Sequence, residues 1–241
     1  MRDATSSEVH AGVAAADAAL ARIFEIGRSR DGVVTPDLIA TGTGFVEKAV
    51  QQAGIREWLE IVWRFDDATH QHCLLVAGLA AGFARSLGLR SADCQRLTQA
   101  AVLHDVGKAR IPSHILNKPG PLSPEERAIM NQHPVHGHRM LLGTGFCEEM
   151  LAVVRSHHEC LDGSGYPDGL KSAQILDLVR LVSICDIYGA LIERRPYKTP
   201  LSAERAYAIL EGMIGKLDGD LVRAFRPFAA LADTAQPEAA A

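Results

Sequence analysis

Two short polar blocks, His104-Asp105-Val106-Gly107-Lys108 and His157-His158-Glu159, stand 53 positions apart in a chain that is 47% hydrophobic. Whatever fold the chain adopts has to accommodate them. Polar groups taken out of water need partners, so an adjacent His-Asp pair, an adjacent His-His pair and a nearby lysine are costly to bury as packing alone. They suit a metal cluster, because imidazole and carboxylate together bind divalent iron, manganese, zinc or nickel. On a helix, consecutive side chains diverge by about 100°. His104 and Asp105 therefore work together only if Asp105 bridges two ions while His104 binds one of them. His157 and His158 diverge likewise, and a helix end is where such neighbours can turn toward one centre. A loop, Asp162-Gly163-Ser164-Gly165-Tyr166-Pro167-Asp168-Gly169, follows the second block, its shape specified by glycines that tolerate unusual backbone angles.

The rest of the chain reads as helix. Its 241 residues suffice for one domain with a sizeable core, or a domain plus a small extension. Aromatics make up only 5%, and no strand-period pattern or internal repeat appears, so the expected fold is all-α. A net charge of -4 builds no broad basic face, which argues against duplex nucleic acid as a partner. The five cysteines are odd in number and lack any Cys-x-x-Cys pair. A disulfide scaffold or zinc ribbon is not expected, and a reducing cytoplasm is the natural compartment. The N-terminus lacks a signal-peptide core, and the longest apolar run, Cys73 to Ala84, is too short to cross a bilayer.

Residues 1–66 read as an N-terminal helical extension without a chemical motif. Val13, Ala16, Leu20 and Ile23 form one amphipathic stripe. Pro36 opens a second helix, which Gly42 and Gly44 are expected to interrupt, and Gly54 to Phe65 forms another. These helices pack against the rest of the chain, form a homodimer or receive a signal. Further on, His72 to Leu87 ends at the capping Gly88, and Ser91 is expected to cap the helix that leads into His104. Ser123-Pro124-Glu125-Glu126 has the capping-box pattern, and that helix should falter at His133-Pro134. Leu151 to His158, Asp177 to Glu193 and Ser202 to Lys216 complete the set. Residues 67–230 form the main domain, and 231–241 are expected to be a disordered tail.

From about Asp67 to about Phe228 these ordered motifs resemble the HD-GYP family of metal-dependent phosphohydrolases, whose members hydrolyse cyclic di-GMP. The resemblance implies an HD-type helical bundle and a ligand set completed by three more residues. His72 matches the histidine on the helix before the His-Asp motif, His133 the one after the Lys118-Pro119-Gly120 loop, and Asp186, in Ile184-Cys185-Asp186-Ile187-Tyr188, the late aspartate. The implied allocation is His72, His104, Asp105 and Asp186 on one ion, and Asp105, His133, His157 and His158 on the other. Two divalent ions are expected, iron or manganese foremost, with zinc, nickel or magnesium acceptable to the same shell. Two cations sharing a carboxylate generate a nucleophile from water near neutral pH and neutralise the charge that builds on a phosphodiester. The implied product is linear pGpG, with further hydrolysis to GMP as the alternative.

Asp105 and Lys108 are the catalytic candidates, with Lys108 donating to the phosphate or the leaving oxygen. Arg195 and Lys198, in Arg195-Pro196-Tyr197-Lys198, match the family's substrate-binding segment. Tyr166 offers an aromatic face to a guanine and a hydroxyl to a phosphate; alternatively its loop docks a diguanylate cyclase domain. Glu159 is a candidate acceptor that orients an imidazole. His136 and His138 read as solvent-facing, and His70 as lying on another side of its helix from His72. Two positions depart from the family. Ala68 stands where some members carry a glutamate ligand for a third ion, which favours two ions and a stop at pGpG. Gly189 stands where an acidic residue is common, which weakens substrate positioning. These departures leave room for a catalytically weak sensor or cyclase-docking module, and for a phosphohydrolase acting on another cyclic dinucleotide or nucleotide.

Overall fold

A computed structural model describes residues 2–29, 32–65, 67–193 and 200–233. Among them there is no β-strand, only the isolated bridges Asp162–Lys171 and Ile214–Leu217. The expectation of an all-α fold holds.

Helices α1 (Arg2–Arg28) and α2 (Pro36–Val62) pack along each other. Val13, Ala16, Leu20 and Ile23 are buried inside the chain, so this stripe is spent on internal packing. Gly42 and Gly44 do not interrupt α2. A Cβ on Gly42 would come within 2.9 Å of the Ala19 Cβ, so this glycine admits a neighbouring helix. The break falls at Gly54 instead, where φ is 83°. Trp58 at the far end of α2 is fully buried, and its Nε1 donates to the Leu74 carbonyl at 3.1 Å, tying the N-terminal helices to the next one.

That next helix, α3 (Ala68–Ser86), is capped by Asp67, whose carboxylate accepts from the amides of Thr69 and His70. It ends as the sequence predicts: the Leu89 amide reaches back to the Ala84 carbonyl and the Gly88 amide to that of Arg85, a Schellman closure. Helix α4 (Ser91–Leu103) begins one residue away from expectation. Arg90 occupies the cap and Ser91 is the first helical residue, because Arg90 carries the extended backbone that a cap requires. A 3-10 turn over Val106–Arg110 and the short α5 (Ser113–Leu116) follow. Both halves of the capping box are made at the start of α6 (Pro124–Met130). As expected the chain breaks before Pro134, and α7 (His133–Leu141) starts anew.

Helices α8 (Glu148–Ser156), α9 (Asp177–Ile192) and α10 (Ala203–Gly212) occupy the expected stretches, but α8 starts three residues before Leu151 and stops short of His157, and α10 ends four residues before Lys216. Sequence reasoning missed α11 (Gly219–Asp233), which carries Pro227 in its interior. Its Phe225 packs edge-on to Phe83, with ring centroids 4.8 Å apart, and lies 4.9 Å from Tyr188. Tertiary packing outweighs the lost backbone donor. This helix runs through Asp233, past the expected start of a tail at 231; residues 234–241 lie outside the described residues.

Candidate metal centre

The chain brings its dispersed polar residues to one place by ending helices there. His104 and Asp105 follow the last turn of α4, His133 opens α7, and His157 and His158 follow α8. His72 and Asp186 project from the interiors of α3 and α9. Their potential ligand atoms fall into two groups, each drawn together within 4.8 Å: Asp105, His133, His157 and His158 in one, and His72, His104 and Asp186 in the other.

Asp105 stands between them. Its Oδ2 lies 3.3 Å from His104 Nε2 and 3.7 Å from His72 Nε2. Its Oδ1 lies 3.1 Å from His133 Nε2 and 3.9 Å from His157 Nε2. Asp186 faces the first group, with Oδ1 2.9 Å from His72 Nε2. Its Oδ2 is 3.6 Å from His158 Nδ1, so the two groups also meet there. One oxygen of Asp105 thus faces each group.

The rings are oriented from outside. His104 Nδ1 lies 2.6 Å from the Ala101 carbonyl, His133 Nδ1 2.8 Å from that of Met130, and His157 Nδ1 3.2 Å from those of Val153 and Val154. A carbonyl only accepts, so each Nδ1 carries the hydrogen and each Nε2 turns a lone pair inward. His104 Nε2 is buried without a hydrogen-bond partner, an orphan that a cation would satisfy. Ser183 Oγ donates to the His157 carbonyl at 2.7 Å and locks the end of α8 onto α9. On this evidence of donor type, tautomer and orphaned lone pair, the residues fit divalent metal ions.

Electrostatics point the same way. Burial would raise the pKa of Asp105, but Lys108 and His104 outweigh it and hold the carboxyl well below its usual range. Burial also opposes ionisation of Asp186, and the His72 hydrogen bond with the nearby imidazoles overrides it. Burial, reinforced by neighbouring imidazoles, depresses His157. His158 is pushed down to about 4, mainly by burial. Both carboxylates are thus charged and both of these histidines neutral, as ligands have to be.

Gly107 sets the spacing of the two halves. A Cβ there would come within 1.9 Å of the His133 carbonyl oxygen and 2.4 Å of the Gly137 amide nitrogen. Only a bare α-carbon lets α7 seat this close to the turn that carries Asp105.

Around the centre lies a cavity of about 580 Å³ lined by Lys108, His133, His158, Tyr166 and Asp186, among others. Lys108 Nζ sits 2.5 Å from Asp105 Oδ2. Burial disfavours its charge, but Asp105 outweighs that and raises its pKa. Tyr166 lies against His158, with ring centroids 4.7 Å apart, and burial pushes its hydroxyl pKa up. Arg195 and Lys198 lie outside the described residues.

Three residues differ from expectation. Glu159 orients no imidazole. Its carboxylate accepts from the backbone amides of Asp168 at 2.6 Å, Gly169 at 3.1 Å and Leu170 at 3.0 Å, closing the Gly-Tyr-Pro loop on itself. Gly189 faces away from the cavity: its Cβ would lie 3.2 Å from Val76 Cγ2 and 3.3 Å from Leu75 Cδ2. An acidic side chain there would point into α3, so this departure removes nothing from the cavity wall. Glu193 was not singled out at all. It is buried, with Oε2 3.7 Å from His72 Nδ1, in reach of the ring edge that faces away from the centre. An acidic residue two turns beyond Asp186, closing an apolar helix, was the available signal. His136 and His138 belong to neither ligand group, and both are half-buried rather than solvent-facing.

A family model described as HD domain matches residues 37–221. The chain belongs to the HD domain family. Curated relatives include a cyclic di-GMP phosphodiesterase of Pseudomonas aeruginosa, 38% identical over 164 residues, covering 66% of this chain and 39% of that protein. Another, from Thermotoga maritima, is 40% identical over 163 residues, covering 66% and 44%. The chain therefore spans about two fifths of the length of these HD relatives. Among solved structures, an HDGYP protein from Bdellovibrio bacteriovorus superposes with a TM-score of 0.71 at 21% identity, over 91% of this chain and 70% of that one. The HD domain of the Listeria monocytogenes phosphodiesterase PgpH, in complex with cyclic-di-AMP, gives 0.53 at 17%, over 76% and 99%. These likenesses establish the HD fold. No helix among the described residues is long and apolar enough to cross a membrane.

Proposed function

We propose that the chain is a phosphodiesterase of the HD-GYP type that hydrolyses cyclic di-GMP to linear pGpG. The observation that carries this reading is the position of Asp105, with one carboxylate oxygen toward each of two ligand groups. The names of its relatives in Pseudomonas and Thermotoga support the choice of substrate.

Held by His72, His104, Asp105 and Asp186 on one side and Asp105, His133, His157 and His158 on the other, two divalent ions, iron or manganese foremost, supply an activated water and charge neutralisation. The protein does the rest. Lys108 lines the cavity as a cation, and its raised pKa makes it a better hydrogen-bond donor to a phosphate oxygen than a proton donor to the leaving group. Tyr166 presents a neutral hydroxyl and a ring turned toward the cavity, an orientation that favours substrate contact over docking of a cyclase domain. Arg195 and Lys198 complete phosphate binding in this reading. Ala68, the first residue of α3, lines the cavity and offers no third carboxylate, in keeping with a stop at pGpG. The sensor reading loses one of its two supports because Gly189 does not reach the cavity.

Protein loaded anaerobically with Fe(II) or Mn(II), both sites filled by metal analysis, is expected to convert cyclic di-GMP to pGpG. Absence of turnover overturns the reading. Relatives named as 3'3'-cGAMP-specific phosphodiesterases are 34% and 35% identical to this chain, so competition between the two dinucleotides decides the preferred substrate.

A further inference from the structure

A second pocket, of about 280 Å³, opens beside the metal-centre cavity and shares Thr69, Lys108, Leu116 and Asn117 with it. The two spaces therefore adjoin, with Lys108 in the wall of both. The new wall comes from the end of α1, through Phe24 and Arg28, and from the start of α3, through Asp67 and His70. Arg28 lies outside the stretch matched by the family model, which begins at residue 37.

Packing alone does not explain the polar groups here. His70 is only 8% exposed, and its Nδ1 lies 3.2 Å from Asp17 Oδ1 on α1. A carboxylate accepts, so Nδ1 carries the hydrogen and Nε2 keeps a lone pair. That Nε2 is buried with no hydrogen-bond partner, which native structures rarely leave unexplained. Phe24, whose ring centroid lies 5.2 Å from that of His70, gives the same wall an apolar component. Arg28 is exposed and forms no ion pair among the described residues, so its planar fork of donors is available.

The pocket thus places a bidentate donor, Arg28, and a carboxylate, Asp67, around one space of about 280 Å³. Guanine is the base that answers both. Its O6 and N7 accept side by side, the commonest target of an arginine fork, whereas adenine places a donor where O6 would be. Guanine also donates from its N1 and 2-amino groups, which suit the exposed Asp67 carboxylate in the same wall. We propose that this pocket reads one guanine of the substrate, with Arg28 gripping O6 and N7, so that the N-terminal helix completes the substrate site. The inference rests on the cyclic di-GMP reading above and adds a base-specific subsite to it.

The test compares metal-loaded wild type, Arg28→Ala and Arg28→Lys on cyclic di-GMP and on bis(4-nitrophenyl) phosphate, a small diester with no base. Arg28→Ala is expected to raise KM for cyclic di-GMP about tenfold and to leave the small diester unchanged, which also shows that the variant is folded. Arg28→Lys keeps the charge but loses the fork and is expected to remain defective. An unchanged KM in Arg28→Ala, a parallel loss on both substrates, or full rescue by lysine overturns the subsite while leaving the phosphodiesterase reading intact. Wild type that cleaves the small diester but not cyclic di-GMP overturns the functional reading, and the guanine subsite with it.

Discussion

At the scale of single residues the centre is influenced by side chains that stand just outside the candidate ligands. Glu193 is the clearest case, because its carboxylate approaches the edge of His72 that faces away from the centre. At 3.7 Å the contact is one of charge rather than a hydrogen bond, and a carboxylate so placed raises ligand basicity. Glu193→Gln is therefore expected to lower metal affinity about 10–100-fold with the fold intact, read by metal competition and circular dichroism. The metal-free protein should also weaken in acid. His157 and His158 are depressed below the ordinary imidazole pKa of 6.5, the latter to about 4. Between those values the unfolded chain binds protons that the folded chain refuses, so stability falls as pH drops through that window. His104, whose pKa is raised, adds no slope there, since below 6.5 both states already hold its proton. Thermal melts of chelated protein from pH 7 to pH 5 should show a declining Tm; a flat profile would contradict the buried neutral pair. Four candidate ligands, His104, Asp105, His157 and His158, were legible in the sequence because they sit in motifs, whereas His72, His133 and Asp186 came only through the family resemblance. The work of Glu159 and Glu193 was not legible, since it depends on partners that only the tertiary fold supplies.

At the scale of elements, the helices end where chemistry is needed. Glu159 and the bidentate pair between Arg155 and Asp168, at 2.7 and 2.8 Å, anchor the Gly-Tyr-Pro loop to α8. Glu159→Ala would strand three backbone amides. The expected cost is about 1–3 kcal/mol, with greater proteolysis of the loop and a higher KM, measured by denaturant melts and limited digestion. Helix starts were readable where a cap has a local signature, as at Ser123. Interior glycines were ambiguous: Gly42 signals a close neighbour as easily as a break, and the signals do not differ along the sequence. Helix α11 was hidden for a related reason, because Pro227 forbids locally what burial of Phe225 and Phe228 stabilises globally.

At the scale of the whole molecule, one continuous core runs from Val9 of α1 to Ala229 of α11, so α1 is a structural partner of the helices that the HD family model matches, α2 among them. Because the ligand set exists only in the folded chain, metal should stabilise all of it. Free metal at about 100 times Kd adds about 2.7 kcal/mol, and EDTA is expected to lower Tm as a single transition. Two transitions would show that the N-terminal helices melt separately. The sequence could not foresee that α1 would line a pocket, since Arg28 belongs to no motif and gains its meaning only from where α3 begins.

The bare α-carbon of Gly107 carries a consequence for metal choice. The gap between the two halves is fixed by main chain pressed against main chain, at His133 and Gly137, rather than by adjustable side chains. A backbone stop of this sort behaves like a fixed gauge. Cations of larger radius have to be accommodated by tilting imidazoles, not by parting the helices, and so a preference among chemically similar ions can be written by a residue that touches none of them.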